Sequence, residues 1–259
     1  MKIGVTYNLF NGEELLEGSI RCIRDSVDYI GVVYQLVSNW GNKANENLLP
    51  LLNDLINKKL IDEIYEYKPN LKIDGKNNEL IKRNIGLDMA RNVGCEYHMT
   101  MDSDEFYIKD EFESMKKIVI EGNYDTSACQ MITYYKEPIY ILDPLEEYYV
   151  TLLHKVNKEA KYILNTPFPV VVDPSRKTKP GKIKIFKRDE IQMHHMSYIR
   201  KDIKSKINNA SSKVNFRDKI NFLIDYYNNW KYPNDVYIGG RPPRKYKVKK
   251  VSKIFNIFY

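Results

Sequence analysis

The first 105 residues of the 259-residue chain predict an α/β fold with a mainly parallel sheet flanked by helices. Two observations carry this. Short apolar runs rich in Val, Ile and Tyr alternate with amphipathic segments across short connections. The amphipathic segments carry their apolar residues at helical spacing, and turn residues mark their ends.

Residues 2–7 (KIGVTY) read as the first strand, closed by the polar turn at residues 8–12. The helix over 13–25 follows, because Leu16, Ile20, Ile23 and Val27 recur every three or four residues and form one stripe. A second strand over 29–37 runs out in Ser38-Asn-Trp-Gly41, and a second helix covers 46–59 before a short strand at 61–67. The third helix is expected over 78–93. Asn77 or Asn78 can cap its start, and Gly94 stands where a left-handed terminator belongs. Ile81, Ile85 and Met89 supply its inward face, so Lys82, Arg83 and Arg91 cannot all share that face, and some must meet solvent or a ligand. The fourth strand, 96–101, delivers the carboxylates of His98-Met-Thr-Met-Asp-Ser-Asp-Glu-Phe-Tyr107 to its carboxyl end, where ligands bind in open α/β sheets.

Beyond residue 110 the pattern loosens. A helix over 111–121, strands over 126–135, 138–142 and 182–187, a surface loop over 166–180, and helices over 198–214 and 217–230 are expected. The tail from Arg241 is basic and aromatic.

The length suits one α/β domain with a modest appendage, and such a chain needs no disulfide or structural metal. Three cysteines without a CxxC pair read as reduced thiols of a cytosolic protein. No apolar run approaches the roughly 20 residues that span a bilayer. The net charge of +7 is unevenly distributed. From Pro174 onward 22 Lys and Arg face 6 Asp and Glu, whereas residues 1–173 carry 19 against 28. An acidic part could hold a cation, and the basic part could meet nucleotide phosphates, lipid headgroups or nucleic acid.

Asp102-Ser103-Asp104 sets two carboxylates on one short turn. Hard divalent cations such as Mn²⁺ or Mg²⁺ take oxygen ligands and bridge carboxylates to substrate phosphates, stabilising a diphosphate as a leaving group. An isolated DxD decides little; its place after an apolar strand and behind a basic helix is what gives it weight.

The run Lys82-Arg-Asn-Ile-Gly-Leu-Asp-Met-Ala-Arg91, followed by Tyr97-His-Met-Thr-Met-Asp-Ser-Asp104, resembles the nucleotide-sugar-dependent glycosyltransferases of the GT-A fold, within their broad family 2-like group. Val5-Thr-Tyr-Asn8 and Glu13-Glu-Leu-Leu16 are similar to the first strand and helix of that group, so the match covers about the first 110 residues. The resemblance implies a Rossmann-like GT-A domain over residues 1–195, with a helical, basic C-terminal extension over 196–259 packed on it. It implies a nucleotide-sugar donor whose base lies near Thr6, Tyr7 and Asn8, and whose diphosphate rests on a cation held by Asp104. Asp102 would touch the cation or the ribose, and Lys82 or Arg83 would support the donor. The family's acidic residue after the second strand is missing, since the region reads Gln35-Leu-Val-Ser-Asn39, and the QxxRW signature of processive synthases is absent.

His194-His195 resembles the downstream histidine that completes the cation's ligands in several GT-A enzymes; adjacent strand residues face opposite ways, and His195 is favoured. His98, alternating with apolar residues, reads as structural. An inverting transfer needs a carboxylate base. Glu137, Asp143, Glu146, Glu147 and Asp173 are available, with Glu146 and Glu147 nearest to the family's acidic acceptor-site motif.

The leading expectation is therefore a cytoplasmic, metal-dependent glycosyltransferase acting on a glycan or lipid-linked acceptor, as in assembly of a bacterial surface polysaccharide. The tail, with seven basic residues over 241–253 followed by Ile-Phe-Asn-Ile-Phe-Tyr, suits peripheral contact with the inner face of an anionic membrane. The same ingredients suit a virus-type enzyme acting on modified DNA bases, or a nonenzymatic nucleic-acid or membrane adaptor.

Overall fold

The computed structural model describes residues 1–179, 181–210, 213, 219–239 and 243–257. Its centre is a parallel sheet of four strands in the order β3-β2-β1-β4, formed by Ile3–Leu9 (β1), Tyr29–Tyr34 (β2), Glu63–Glu66 (β3) and Tyr97–Asp102 (β4). Strands β1 and β2 are buried along their whole length, as expected of strands covered on both faces. The helices Glu13–Ile23 (α1), Leu48–Asn57 (α2) and Gly75–Asn92 (α3) lie between these strands in the chain. The arrangement is α/β, as the sequence predicts, and is consistent with a GT-A-like fold.

The apolar stripe of α1 behaves as its spacing requires: Leu16, Ile20, Ile23 and Val27 are all buried in the main core, together with Val5, Tyr7, Met99 and Met101. Helix α3 differs from expectation at its start and on its face. Asp74 caps it, its carboxylate accepting from the Asn77 backbone N–H at 2.8 Å. Asn78, expected as a cap, is instead buried inside the first turn and accepts from the Tyr67 hydroxyl. Ile81, expected inward, is 39% exposed, whereas Lys82, Arg83 and Gly86 point inward. The buried face of α3 is thus partly polar because it covers polar strand residues. Gly94 ends the helix at φ +78°, as predicted.

Under α3 lies a polar seam. His98 Nε2 is 2.7 Å from the Thr6 hydroxyl, and His98 Nδ1 is 2.9 Å from the Tyr162 hydroxyl. A Cβ on Gly86 would collide with Thr6, so only glycine lets α3 lie this close to β1. His98 is structural, as its alternation on β4 suggests.

After Glu105–Phe106 (β5) and Lys109–Glu121 (α4), the sheet continues with antiparallel strands. These are Thr126–Tyr135 (β6), Glu137–Asp143 (β7) and Tyr149–Lys155 (β8), the last pairing with both β4 and β6. The strand at β8 carries no clean alternation and was not expected. Ile183–Ile185 (β9) pairs with β6, and Met193–Tyr198 (β10) lies between β5 and β6.

The C-terminal part departs from the expected helical extension. The helices are Ile203–Asn209 (α5) and Ile220–Asn229 (α6), while Tyr198, expected at a helix start, ends β10. Residues 211, 212 and 214 of the expected helix over 198–214, and 217 and 218 of that over 217–230, lie outside the described residues, as do Arg241, Pro242, Phe258 and Tyr259 of the tail. Val236–Ile238 (β11) and Arg244–Lys250 (β12) form a hairpin, and β12 joins the sheet beside β7. Phe255 and Ile257 of the tail pack into the protein's own core, whereas Ile254 is exposed. Phe255 packs on Phe106 and His194 with ring centroids 5.3 and 5.0 Å apart, and Ile257 is buried. Cys22, Cys95 and Cys129 are free thiols. Among the described residues, no helix is long and apolar enough to cross a membrane.

Burial gives this fold an acid sensitivity. It depresses His98 well below the usual imidazole range, with His154 adding to the effect, and it lowers His154 to about 3. Between pH 6.5 and that value the unfolded chain binds protons that the folded chain excludes, so stability falls as pH falls below 6.5. Each histidine contributes up to about 1.4 kcal/mol per pH unit. Urea midpoints should therefore drop between pH 6.5 and 5, and His154→Gln should flatten that slope; equal slopes would refute the assignment.

Candidate active site

Strands β1 and β4 run side by side, with Asn8 paired to Asp102 at their carboxyl ends. A cleft of about 630 Å³ opens there, lined by Asn8, Gln35, Asn39, Lys82, Arg83 and Asp102 together with Ser103, Asp104, Glu146, His195, Arg200 and Lys206.

Of the three residues expected beside the donor base, only Asn8 lines the cleft. Thr6 faces α3 and is sealed beneath Gly86. Tyr7 faces α1, its hydroxyl 3.1 Å from the Ser19 hydroxyl, and burial pushes its phenol up. The difference follows from β1 being covered on both faces: only its last residues reach past the covering helices. Both polar atoms of the Asn8 amide are buried without a partner among the described residues. A native protein rarely leaves such groups unserved.

Lys82 and Arg83 are both buried. Lys82 Nζ lies 3.0 Å from Glu79, which in turn accepts from the Asn39 amide. Arg83 donates to the Ser175 and Thr100 hydroxyls, each at 3.0 Å, and its Nη2 lies 3.4 Å from Asp102. A second guanidinium meets Asp102 from the other side, with Arg176 Nη2 at 2.7 Å from Oδ2. Arg176 also grips Glu105 with both of its terminal nitrogens. Although burial alone would raise the Asp102 pKa, Arg83 and Arg176 hold it well below the usual carboxylate range. For Glu105, more deeply enclosed, burial wins against the pull of Arg176 and lifts the carboxyl to about 7.

Arg176 belongs to a stretch that the sequence presents as a surface loop. Instead the 3-10 turn Pro174–Arg176, capped by the Asp173 side chain, folds inward until Ser175 and Arg176 are buried. Its lysines and prolines hid this; the only cue was an arginine among lysines, the residue whose planar fork suits a buried carboxylate.

Asp104 sits in a different environment from Asp102. Its Oδ2 accepts from Arg200 Nη2 at 2.5 Å and from Lys206 Nζ at 2.9 Å, while Oδ1 lies 3.7 Å from His195 Nε2. Lys206 and Arg200 overcome its burial and hold its pKa well below the usual carboxylate range. His195, not His194, faces the cleft. His194 points the other way, its Nδ1 2.9 Å from the Tyr134 hydroxyl. Burial lowers the His195 pKa against the attraction of Asp104, so its neutral imidazole carries a lone pair.

A divalent cation was expected on Asp102, Asp104 and His195. Asp104 Oδ1 and His195 Nε2 fit such an ion, which commonly takes one or two protein ligands and completes its shell with water and substrate phosphates. The oxygens of Asp102 are engaged by two guanidinium groups. Among the described residues, no group of three or more His, Cys, Asp and Glu gathers as a complete cage.

The two candidate bases separate. Glu146 lines the cleft and accepts from the Thr133 hydroxyl, whereas Glu147 is exposed and is not among the lining residues. Arg176, Arg200 and Lys206 carry no recognisable motif, and proximity of residues so distant in sequence is a tertiary property.

Removing one partner of a buried ion pair costs about 3–5 kcal/mol, because the remaining charge is stranded. Arg176→Met should lower unfolding stability by that amount in urea titrations at pH 8. A loss under about 1 kcal/mol would show the cluster to be solvent-screened.

No family model matches the chain, and no curated protein sequence matches it. Among solved structures it is similar to TarS of S. aureus. One crystal structure of TarS residues 1–349 shares 12% identity at a TM-score of 0.47, over 80% of this chain and 63% of that one. The complex of TarS with UDP matches at 14% identity and a TM-score of 0.39, over 53% and 37% of the two chains. The complex with UDP-GlcNAc matches at 16% identity and 0.40, over 53% and 36%. The chain thus spans less than two thirds of the length of these relatives.

Proposed function

We propose that this chain is a glycosyltransferase that moves a sugar from a nucleotide-diphosphate donor to a hydroxyl group of a glycan or lipid-linked acceptor. One observation carries the reading: at the carboxyl ends of β1 and β4, an ionised Asp104, a neutral His195, two cations and an unserved Asn8 amide converge on one cleft. That set matches the needs of a nucleoside diphosphate. A buried amide can hydrogen-bond a base or ribose, and cations can stabilise the charge that develops on a departing diphosphate.

Asp104 and His195 would hold a Mn²⁺ or Mg²⁺ ion. When bound, that ion supplies Lewis-acid stabilisation of the leaving diphosphate. Asp102 keeps Arg83 and Arg176 in place beneath the donor instead of sharing the ion. Lys82, fixed by Glu79, adds positive charge on the nucleotide side. Glu146 lines the same cleft, where its carboxylate would take the proton of the attacking hydroxyl as the new glycosidic bond forms. This assigns Glu146 as the base of an inverting transfer, and leaves Glu147 outside the chemistry.

A thermal-shift panel of nucleotide sugars with and without Mn²⁺ tests the central claim. At least one nucleotide sugar should raise the unfolding midpoint when Mn²⁺ is present, through mass action on the folded state, and Asp104→Ala should abolish the rise. Binding that needs no metal and survives Asp104→Ala would contradict the reading. For the base, Glu146→Gln should slow Mn²⁺-dependent donor hydrolysis or transfer by about 10²-fold or more. Glu147→Gln should stay within about twofold of the parent rate, in keeping with an exposed side chain that lies outside the cleft.

A further inference from the structure

Asp104 is one carboxylate held by two permanent cations, and this imbalance has a use. Arg200 Nη2 and Lys206 Nζ both bind the same oxygen, Oδ2, at 2.5 and 2.9 Å. The remaining nitrogens of Arg200, Nε and Nη1, are buried and have no partner among the described residues. A buried guanidinium with two idle donors is costly unless a ligand supplies acceptors. The guanidinium rests against Gly12, where a Cβ would collide with Nη1, and the Arg200 carbonyl accepts from the Tyr227 hydroxyl at 3.4 Å. Ile199 and Ile203, on either side of it in the chain, are buried. Lys206 differs: its side chain is 25% exposed at the cleft, on a flexible stem that can swing from carboxylate to ligand.

We infer that Arg200 and Lys206 are ligands of the donor's diphosphate that, in its absence, occupy Asp104, so that divalent cation and diphosphate bind only as a pair. The inference rests on the glycosyltransferase reading above and adds to it the identity of the anion-binding residues and a rule of binding. A cation approaching Asp104 alone meets two positive groups on the same carboxylate. A diphosphate approaching alone meets a carboxylate that competes for the same two cations. When both arrive, the diphosphate oxygens draw Lys206 and the idle nitrogens of Arg200 toward themselves, and Asp104 turns to the cation. No bond is made or broken and no proton moves; only ion-pair partners are exchanged. By linkage, the factor by which nucleotide tightens cation binding equals the factor by which cation tightens nucleotide binding.

Calorimetric titration tests this on the full chain. Mn²⁺ alone, and each of UDP, GDP, CDP and ADP with and without Mn²⁺, are titrated into the parent protein and into Lys206→Met. In the parent, Mn²⁺ and one nucleoside diphosphate should each tighten the other's binding by at least about fivefold. In Lys206→Met, Mn²⁺ alone should bind more tightly than to the parent, because a competitor for Asp104 is gone. The nucleoside diphosphate with Mn²⁺ should bind about tenfold more weakly, and the mutual tightening should shrink. Arg200→Lys keeps the charge and removes the fork, and should also weaken the diphosphate while an unchanged thermal midpoint reports an intact fold. Unaltered diphosphate affinity in Lys206→Met, or weaker binding of Mn²⁺ alone, overturns the exchange but leaves the glycosyltransferase reading standing. If no nucleoside diphosphate binds the parent even with Mn²⁺, both fall together.

Discussion

Arg176 occupies the gap between Asp102 and Glu105, and much of the cleft's geometry depends on that contact. Two carboxylates this close, one of them buried, would repel each other and favour protonation if nothing positive stood between them. A planar guanidinium fits both carboxylates at once, which an ammonium cannot do with the same geometry. Because Arg176 sits in the turn after Asp173, its insertion draws residues 173–176 across the end of the sheet. Arg83 then binds Ser175 and Asp102 together and ties helix α3 into the same cluster. Helix, strand and turn are thereby joined by charge in a place where apolar packing alone would leave the cleft uncharged.

The two aspartates of one short motif end up in different electrostatic surroundings. Asp102 faces α3 because β4 alternates and that face carries His98, Thr100 and Asp102 in turn. It therefore meets Arg83 and Arg176. Asp104 lies past the strand end and meets His195 of β10, Arg200 of the connection that follows it, and Lys206 of α5. Glycines make both approaches feasible: Gly86 lets α3 close over Thr6, and Gly12, at φ +85°, leaves room for the Arg200 guanidinium. A buried ion pair of this kind adds little net stability after desolvation; what it does is fix where the charges stand.

The charge division along the chain gains a structural meaning from this arrangement. The acidic first part contributes Asp102, Asp104 and Glu105, and the basic last part contributes Arg176, Arg200 and Lys206 to the same place. The C-terminal segment is also integral to the sheet, through β10 beside β6 and β12 beside β7, and its Phe255 and Ile257 join an internal core.

By itself the sequence determined what local periodicity and turn chemistry can encode. The strands and helices of the mainly parallel α/β centre, the stripe of α1, the terminator Gly94 and the position of Asp102 and Asp104 at a strand end were all legible, because each depends on neighbours within a few residues. Partnership across distance was not legible. Nothing near Arg176 in the chain announces Glu105, 71 residues away, and nothing near Lys206 announces Asp104, 102 residues away. The same holds for Thr6 and Tyr7, whose polar side chains look available until helices α3 and α1 cover them. Only the tertiary structure decides which charges meet, since a buried charge takes its partner from whatever the packed elements bring within hydrogen-bond reach.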